Sequence, residues 1–318
     1  MVEQKSQLSR IVKAITHPAL SYQYVLSEIY ERKRQALFKK NFISGEKQNA
    51  VLIASYPKSG NTLFRLIWLN LINLLELHHD KITFEVLDEY LPSDQFYRDL
   101  DALWEFSSLP CLLKTHRVYT DDFNPLKKIH LYRNPFDVMV SSYHYFSKRK
   151  SGPNSDKLSY IEKKCFNSLT SYTGTFSDYL VDNVSNYCDH FISWANHSDV
   201  VIRYESLISE VNEHAVIDML KELSISIDEQ VIKQALELSD KKNYRAQNSS
   251  KMAGLQGMDF VRDGSKGQWQ DYYSVEDMKT LNKNFSEKGM FHIDSFPPVY
   301  QADLLQWQQI ITNFTENP

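Results

Sequence analysis

The stretch Val51-Leu52-Ile53-Ala54-Ser55-Tyr56-Pro57-Lys58-Ser59-Gly60-Asn61-Thr62 decides the fold. Apolar and small residues run into a turn bearing Pro57 and Gly60, and an apolar pattern resumes at Leu63, broken by Arg65, Asn70 and Asn73 before it fades near Leu77. This is a buried strand, a glycine-bearing loop and a buried helix, the arrangement in which backbone N–H groups and a helix N-terminus hold phosphate. Against the phosphate-loop pattern G-x-x-x-x-G-K-[ST], Gly60 takes the second glycine and Thr62 the hydroxyl, but Ser55 stands in the first glycine slot and Asn61 in the lysine slot. The cation has moved inside the loop, to Lys58.

Working outward, short apolar runs recur at Cys111–Thr115, Lys128–Tyr132 and Asp199–Tyr204, each followed by polar or helix-opening residues. That rhythm of βα units predicts an α/β fold with a mostly parallel central sheet and helices on both faces. Ligands of such sheets gather at the carboxyl ends of the strands. Helices are predicted over 135–147, 177–197, 205–222, 228–239 and 275–287, and one broken or two short helices over 8–43. The domain reading is an N-terminal helical extension, 1–47, and one large domain, 48–318. Two polar stretches, 147–175 and 240–271, have weak periodicity and read as functional lids or disordered segments.

Composition narrows the function classes. A net charge of -4 supplies no domain-wide basic excess, so nucleic acid is not an expected partner. Cys111, Cys165 and Cys188 lack C-x-x-C spacing, which suits reduced thiols and disfavours a structural zinc site. The residues after Met1 form no signal-like apolar core, the 62–77 run is too short and too polar to span a bilayer, and the basic run 31–40 reads as a solvated helix face. A cytoplasmic protein without a membrane span is the expectation.

The strand ends carry the chemistry. Lys114 and His116 end the second strand, Arg133 the third, Arg203 and Tyr204 the fourth. A metal-dependent phosphoryl-transfer enzyme needs an Asp or Glu at one of these places to hold Mg²⁺. A ring of bases suits an anionic donor bound without metal. An alcohol, whose pKa lies far above 7, needs a base at the moment of attack, and a neutral imidazole at the end of a strand beside the loop, His116, is suited to that work.

Tyr56 to Thr62 resembles the phosphosulfate-binding loop Tyr-Pro-Lys-Ser-Gly-Thr-Thr of the PAPS-dependent sulfotransferases, Asn61 being the one difference. Three further segments resemble that family in its order, the resemblance covering roughly 48–290. Lys114-Thr115-His116 is similar to its Lys-Thr-His, in which the histidine is the base. Arg133-Asn134-Pro135-Phe136-Asp137-Val138-Met139-Val140-Ser141 is similar to its 3′-phosphate segment, and Phe260–Trp269 to its Arg-Lys-Gly-x-x-Gly-Asp-Trp signature. The resemblance implies a three-layer α/β/α, P-loop NTPase-like sulfotransferase fold and transfer of a sulfuryl group from PAPS, with PAP leaving. It implies catalytic roles for His116, Lys58, Lys114 and Ser141, Ser141 restraining Lys58 until the acceptor arrives. PAPS would be held by Lys58, Ser59, Gly60, Asn61, Thr62 and Leu63, by Arg133 and Ser141, by Tyr204 on the adenine side, and by Arg262, Asp263 and Gly264.

The departures matter too. Asp263 stands for a lysine, so it must turn away from the phosphate or weaken its binding, and Lys266 is placed to compensate. The family's tryptophan after the loop is missing, leaving Leu63 or Phe64 beside the adenine. The family's dimerisation segment would fall at 270–279, where one charged end is lost and the other reversed, so that dimer is not carried over and the oligomeric state stays open. No metal is implied. The acceptor is a small molecule, a lipid or a glycan, offering a hydroxyl or an amine, and Phe96, Tyr97, Trp104, Phe106, Tyr143, Tyr145, Phe146 and Tyr172 are candidates to line its cleft. The rival readings are a metal-dependent small-molecule kinase and a non-catalytic nucleotide-binding module.

Overall fold

Every residue of the strand Ala50–Ser55 is buried, because it lies inside the sheet and is covered on both faces. The computed structural model describes residues 29, 32–33, 35–43, 49–80, 82, 84–91, 93, 105–148, 172–240 and 267–316. Along them run β1 (Ala50–Ser55), α1 (Asn61–Ile72), α2 (Phe84–Tyr90), β2 (Cys111–Thr115), β3 (Lys127–Tyr132), α3 (Pro135–Lys148), α4 (Phe176–Ala195), β4 (Val200–Arg203) and the single turn α5 (Tyr204–Leu207). Then follow α6 (Asn212–Glu222), α7 (Glu229–Ser239), α8 (Val275–Glu287) and α9 (Pro298–Glu316).

The strands pair in parallel in the order β2-β1-β3-β4, Ala54 lying between Thr115 and His130. Side chains alternate between two cores, as the period of a strand requires. Val51, Ile53, Leu112, Ile129, Leu131, Val200 and Ile202 pack against α1, α6 and α7. Leu52, Ala54 and Leu113 face Phe123 and Trp194 on the other side, where Tyr132 continues the layer against α3, α4, α8 and α9. The three-layer α/β/α expectation therefore holds. Because β1 has β2 on one side and β3 on the other, the topological switch lies at the carboxyl end of β1, where open α/β sheets bind their ligands.

Local chemistry explains the helix limits. α4 and α8 open on reciprocal capping boxes, Thr175 with Asp178 and Ser274 with Asp277. α1 runs into a π-helical turn, Asn73–Leu77, and stops at His78, whose φ of 56° is left-handed. The Asn73 carboxamide oxygen takes the His79 N–H at 2.7 Å, and the His79 ring lies 3.1 Å from the Tyr90 hydroxyl, so His79 is structural.

Two helical expectations need correction. The single helix over 205–222 is two pieces, α5 and α6. The Ser209 hydroxyl donates to the Ser206 carbonyl at 2.8 Å, a local bond that competes with continued helix. The long helix α9 was not foreseen, although Tyr300, Leu304, Trp307 and Ile311 are buried at helical spacing. Of the N-terminal extension, Phe38 and Phe42 pack with Phe123 in the core under β1 and β2, and much of the rest lies outside the described residues. Most of the two polar stretches also lies outside them. No helix among the described residues is long and apolar enough to cross a membrane.

Candidate active site

The loop after β1 is built to face an anion. Lys58 has φ 70° and Gly60 φ 101°, so two left-handed residues turn the chain within three positions. A non-glycine residue held there costs about 1–3 kcal/mol, which the surrounding structure must impose. Gly60 is required twice over: its φ suits glycine, and a Cβ would stand 2.1 Å from Cδ2 of Tyr204. Gly60 caps α1 without any side-chain hydrogen bond. The first amides of α1, at Asn61, Thr62 and Leu63, accordingly have no intrahelical acceptor and carry the positive end of the helix dipole. Ser59 is fully buried, and its Oγ has no partner among the described residues. A buried donor without an acceptor, beside open amides, is the signature of a site that an anion completes.

His116 follows β2 directly and reaches across to β1, where Nδ1 lies 2.6 Å from the Ser55 carbonyl oxygen. A carbonyl only accepts, so Nδ1 carries the proton and Nε2 is the basic nitrogen. Ser55 Oγ lies 3.4 Å from the same Nδ1 and accepts a bond from Asn61 Nδ2 at 2.9 Å. The half-buried ring is held well below the ordinary imidazole pKa, first by desolvation and then by the charge of Lys114. The Ser55 bond opposes that shift, while His190 and Arg65 add to it. His116 is therefore neutral at neutral pH, with Nε2 able to take a proton.

Arg133, at the end of β3, is 7% exposed and lies with its guanidinium carbon 4.5 Å from the centroid of the Tyr204 ring. One of its N–H groups donates to the Lys58 carbonyl at 3.3 Å, which ties the third strand end to the loop. Asp137, one helical turn on, comes within 4.0 Å of Arg133 and accepts the Gly267 N–H at 3.0 Å. Trp269 packs on Phe136 with ring centroids 5.0 Å apart. The segment carrying the fourth motif is thereby anchored to the start of α3, while Arg262, Asp263, Gly264 and Lys266 themselves lie outside the described residues. Tyr204 is wedged between Gly60 and Arg133.

Several readings change. The strand ends are not free of carboxylates: Glu205 sits in α5 two residues past β4, but it accepts the Asn134 N–H at 3.0 Å and pairs with Arg203 at 3.2 Å. Arg203 is also bound to Asp303 at 2.9 Å, so it belongs to an architectural network and not to the anion site. Phe64 is buried against Trp68, which leaves Leu63 as the loop-following residue with exposed surface. Of the aromatic candidates, Phe106, Phe146 and Tyr172 are core, Tyr143 and Tyr145 are half-buried, and Phe96, Tyr97 and Trp104 lie outside the described residues. Ser141 is half-buried on α3, and one turn further the Tyr145 ring sits under the Lys58 ammonium, 4.6 Å from nitrogen to centroid. Sequence reasoning missed Tyr145 and Ser55 as partners of the loop and base. The spacing of Ser141 and Tyr145 on one helix face was the available signal for the first.

A parallel sheet with a phosphate loop at its switch point, a neutral imidazole on the next strand and a guanidinium on the third define a nucleotide-dependent group-transfer enzyme. The description "Sulfotransferase domain" matches residues 48–290, and the chain belongs to the sulfotransferase family: it is a PAPS-dependent sulfotransferase. It is 28% identical to Sulfotransferase 6B1 of Danio rerio over a region spanning 50% of each chain. Over 90% of this chain and 95% of the other, it is 24% identical to Sulfotransferase 2A2 of Mus musculus. Its fold matches the crystal structure of mouse sulfotransferase SULT7A1 complexed with PAP, with TM-score 0.56, 17% identity, and 83% and 89% of the two chains covered.

Proposed function

We propose that the chain moves the sulfuryl group of PAPS to a hydroxyl, or an amine, of a small-molecule, lipid or glycan acceptor, with His116 as general base. The observation that carries this reading is the 2.6 Å contact of His116 Nδ1 with the Ser55 carbonyl, which leaves Nε2 basic beside the Lys58 loop. When bound, PAPS supplies the sulfuryl group on a phosphate anhydride and departs as PAP.

The residues present fit that group. The amides of Gly60 to Leu63, the Ser59 and Thr62 hydroxyls and the Lys58 ammonium form the 5′ side of the site, which the unpartnered Ser59 Oγ supports. Arg133 and Ser141, with Arg262, Asp263 and Gly264 from outside the described residues, form the 3′-phosphate side, and Tyr204 the wall between them. His116 Nε2 takes the acceptor proton as the acceptor oxygen becomes nucleophilic. Lys58 and Lys114 balance the negative charge that grows on the transferring and bridging oxygens. The Tyr145 face holds the Lys58 ammonium beside α3, an arrangement to which Ser141 adds its hydroxyl by family analogy. The reading includes an N-terminal extension over 1–47 ahead of the catalytic domain, metal-independent turnover and a cytoplasmic location.

The test is His116→Ala. It should lower kcat by about 10²–10⁴-fold while PAP binding, measured by calorimetry, stays close to that of the native chain. Turnover at a near-native rate would remove His116 from the role.

A further inference from the structure

Asn61 is the one residue of the loop that departs from the sulfotransferase pattern, and its side chain has a specific employment here. Asn61 is 7% exposed and Ser55 fully buried, and the Asn61 amide donates to Ser55 Oγ at 2.9 Å. The same serine meets His116 twice, through its carbonyl at 2.6 Å and its Oγ at 3.4 Å from Nδ1. A hydroxyl oxygen has two lone pairs. With one taken by Asn61, the rotor is pinned and the second faces the imidazole N–H as a further acceptor beside the carbonyl. We propose that Asn61 is a positioning residue for His116, acting through Ser55: it locks the serine hydroxyl as a second acceptor for Nδ1–H, so that the ring already held by the Ser55 carbonyl is fixed in the orientation that presents Nε2 to the acceptor.

The inference rests on reading His116 as the base. It makes the anion loop and the base one hydrogen-bonded unit, so the residue that opens α1 also sets the ring. A threonine in this slot carries its hydroxyl directly on Cβ, and the missing bond adds about 1.5 Å to the gap, so the family's usual residue does not make this link. The charged and titratable groups around the ring, Lys114 on β2, Arg65 on α1 and His190 on α4, are untouched by substitution at Asn61 or Ser55.

Asn61→Thr installs the residue the family pattern has, and Ser55→Ala removes the hydroxyl while keeping the carbonyl, so neither depends on the other's folding. Each variant is assayed for kcat at saturating PAPS, for PAP affinity by calorimetry, and without nucleotide by long-range ¹H–¹⁵N NMR of the His116 ring. Both should perturb the ring signals through loss of the second Nδ1–H acceptor, with the Ser55 carbonyl still holding the proton on Nδ1, cut kcat by about fivefold and leave PAP affinity unchanged. The double variant should be no worse than either single one, because both break one link. Native ring signals in Asn61→Thr, or a loss of PAP affinity with kcat intact, would overturn the proposal, the latter by placing Asn61 on the phosphate. Near-native turnover of His116→Ala overturns the base reading and with it the role given to Asn61. Native ring signals in Asn61→Thr alongside an inactive His116→Ala overturn the Asn61 role alone.

Discussion

His116 and His190 are both neutral and both desolvated, and His190 adds to the depression of His116, yet their surroundings give them opposite uses. His116 is half-buried, pinned at Nδ1 by a strand carbonyl, and ends a strand beside an anion loop. His190 is 2% exposed inside α4, among the rings of Tyr56, His130 and Trp194, and its Nε2 has no partner among the described residues. Beside it the polar groups satisfy one another: the His130 ring meets the Tyr300 hydroxyl at 2.7 Å, and the Tyr132 hydroxyl donates to Asp303 at 2.6 Å. Burial alone depresses an imidazole. What makes one a candidate base is a nitrogen anchored by a strand carbonyl on a ring that ends a strand beside an anion loop.

The largest effect should separate the two residues. Where His116→Ala costs about 10²–10⁴-fold in kcat, His190→Leu should leave kcat unchanged, because Leu refills the space and removes a polar atom that has no described partner. Its thermal stability at neutral pH should be equal or higher, since an unsatisfied buried polar group is exchanged for an apolar one. A collapse of kcat in His190→Leu with the melting temperature intact would break the comparison and make His190 part of the site.

Next comes acid stability. His116, His130 and His190 all have folded pKa values below the unfolded value of about 6.5, His190 at about 3. Between those limits the unfolded chain binds more protons than the folded one, so stability from these groups is fully present above about pH 6.5 and is lost as pH falls toward the folded values. Each imidazole contributes a slope of up to about 1.4 kcal/mol per pH unit in that window. Urea titrations from pH 7.5 to 4 should show the loss, and His190→Leu should flatten it. An unchanged slope in that variant would mean that His190 titrates normally.

The same contrast explains what could be read beforehand. β1 to β4 were legible because each is a continuous apolar run, and the anion loop because Lys58, Ser59 and Gly60 sit together between a strand and a helix. His116 and Arg133 were legible because strand ends of a parallel sheet converge. What was not legible depends on residues far apart in sequence. Nothing local to Arg203 announces Asp303, which neutralises it from α9. Nothing in Ser55, read as a small strand residue, announces that it carries both the carbonyl and the hydroxyl that hold the base. The cation over Tyr145 likewise requires that the loop and α3 be brought side by side before it exists.

The smallest effect is also the most discriminating, because it reads the field at His116 without removing the ring. After desolvation, Lys114 is the strongest influence holding that pKa down, so Lys114→Met should raise it toward the ordinary imidazole value. The base works only when neutral, so activity is lost as pH falls through its pKa, and the acid limb of kcat/KM should move to higher pH in the variant. Lys114 also balances charge on the transferring oxygens, so the plateau should drop as well, but height and position of the curve are separate readouts. Lys114→Arg keeps the charge and should keep the limb in place. If Lys114→Met lowers the plateau with the limb unmoved, the limb belongs to another group, and the distinction drawn between the two histidines loses its electrostatic half.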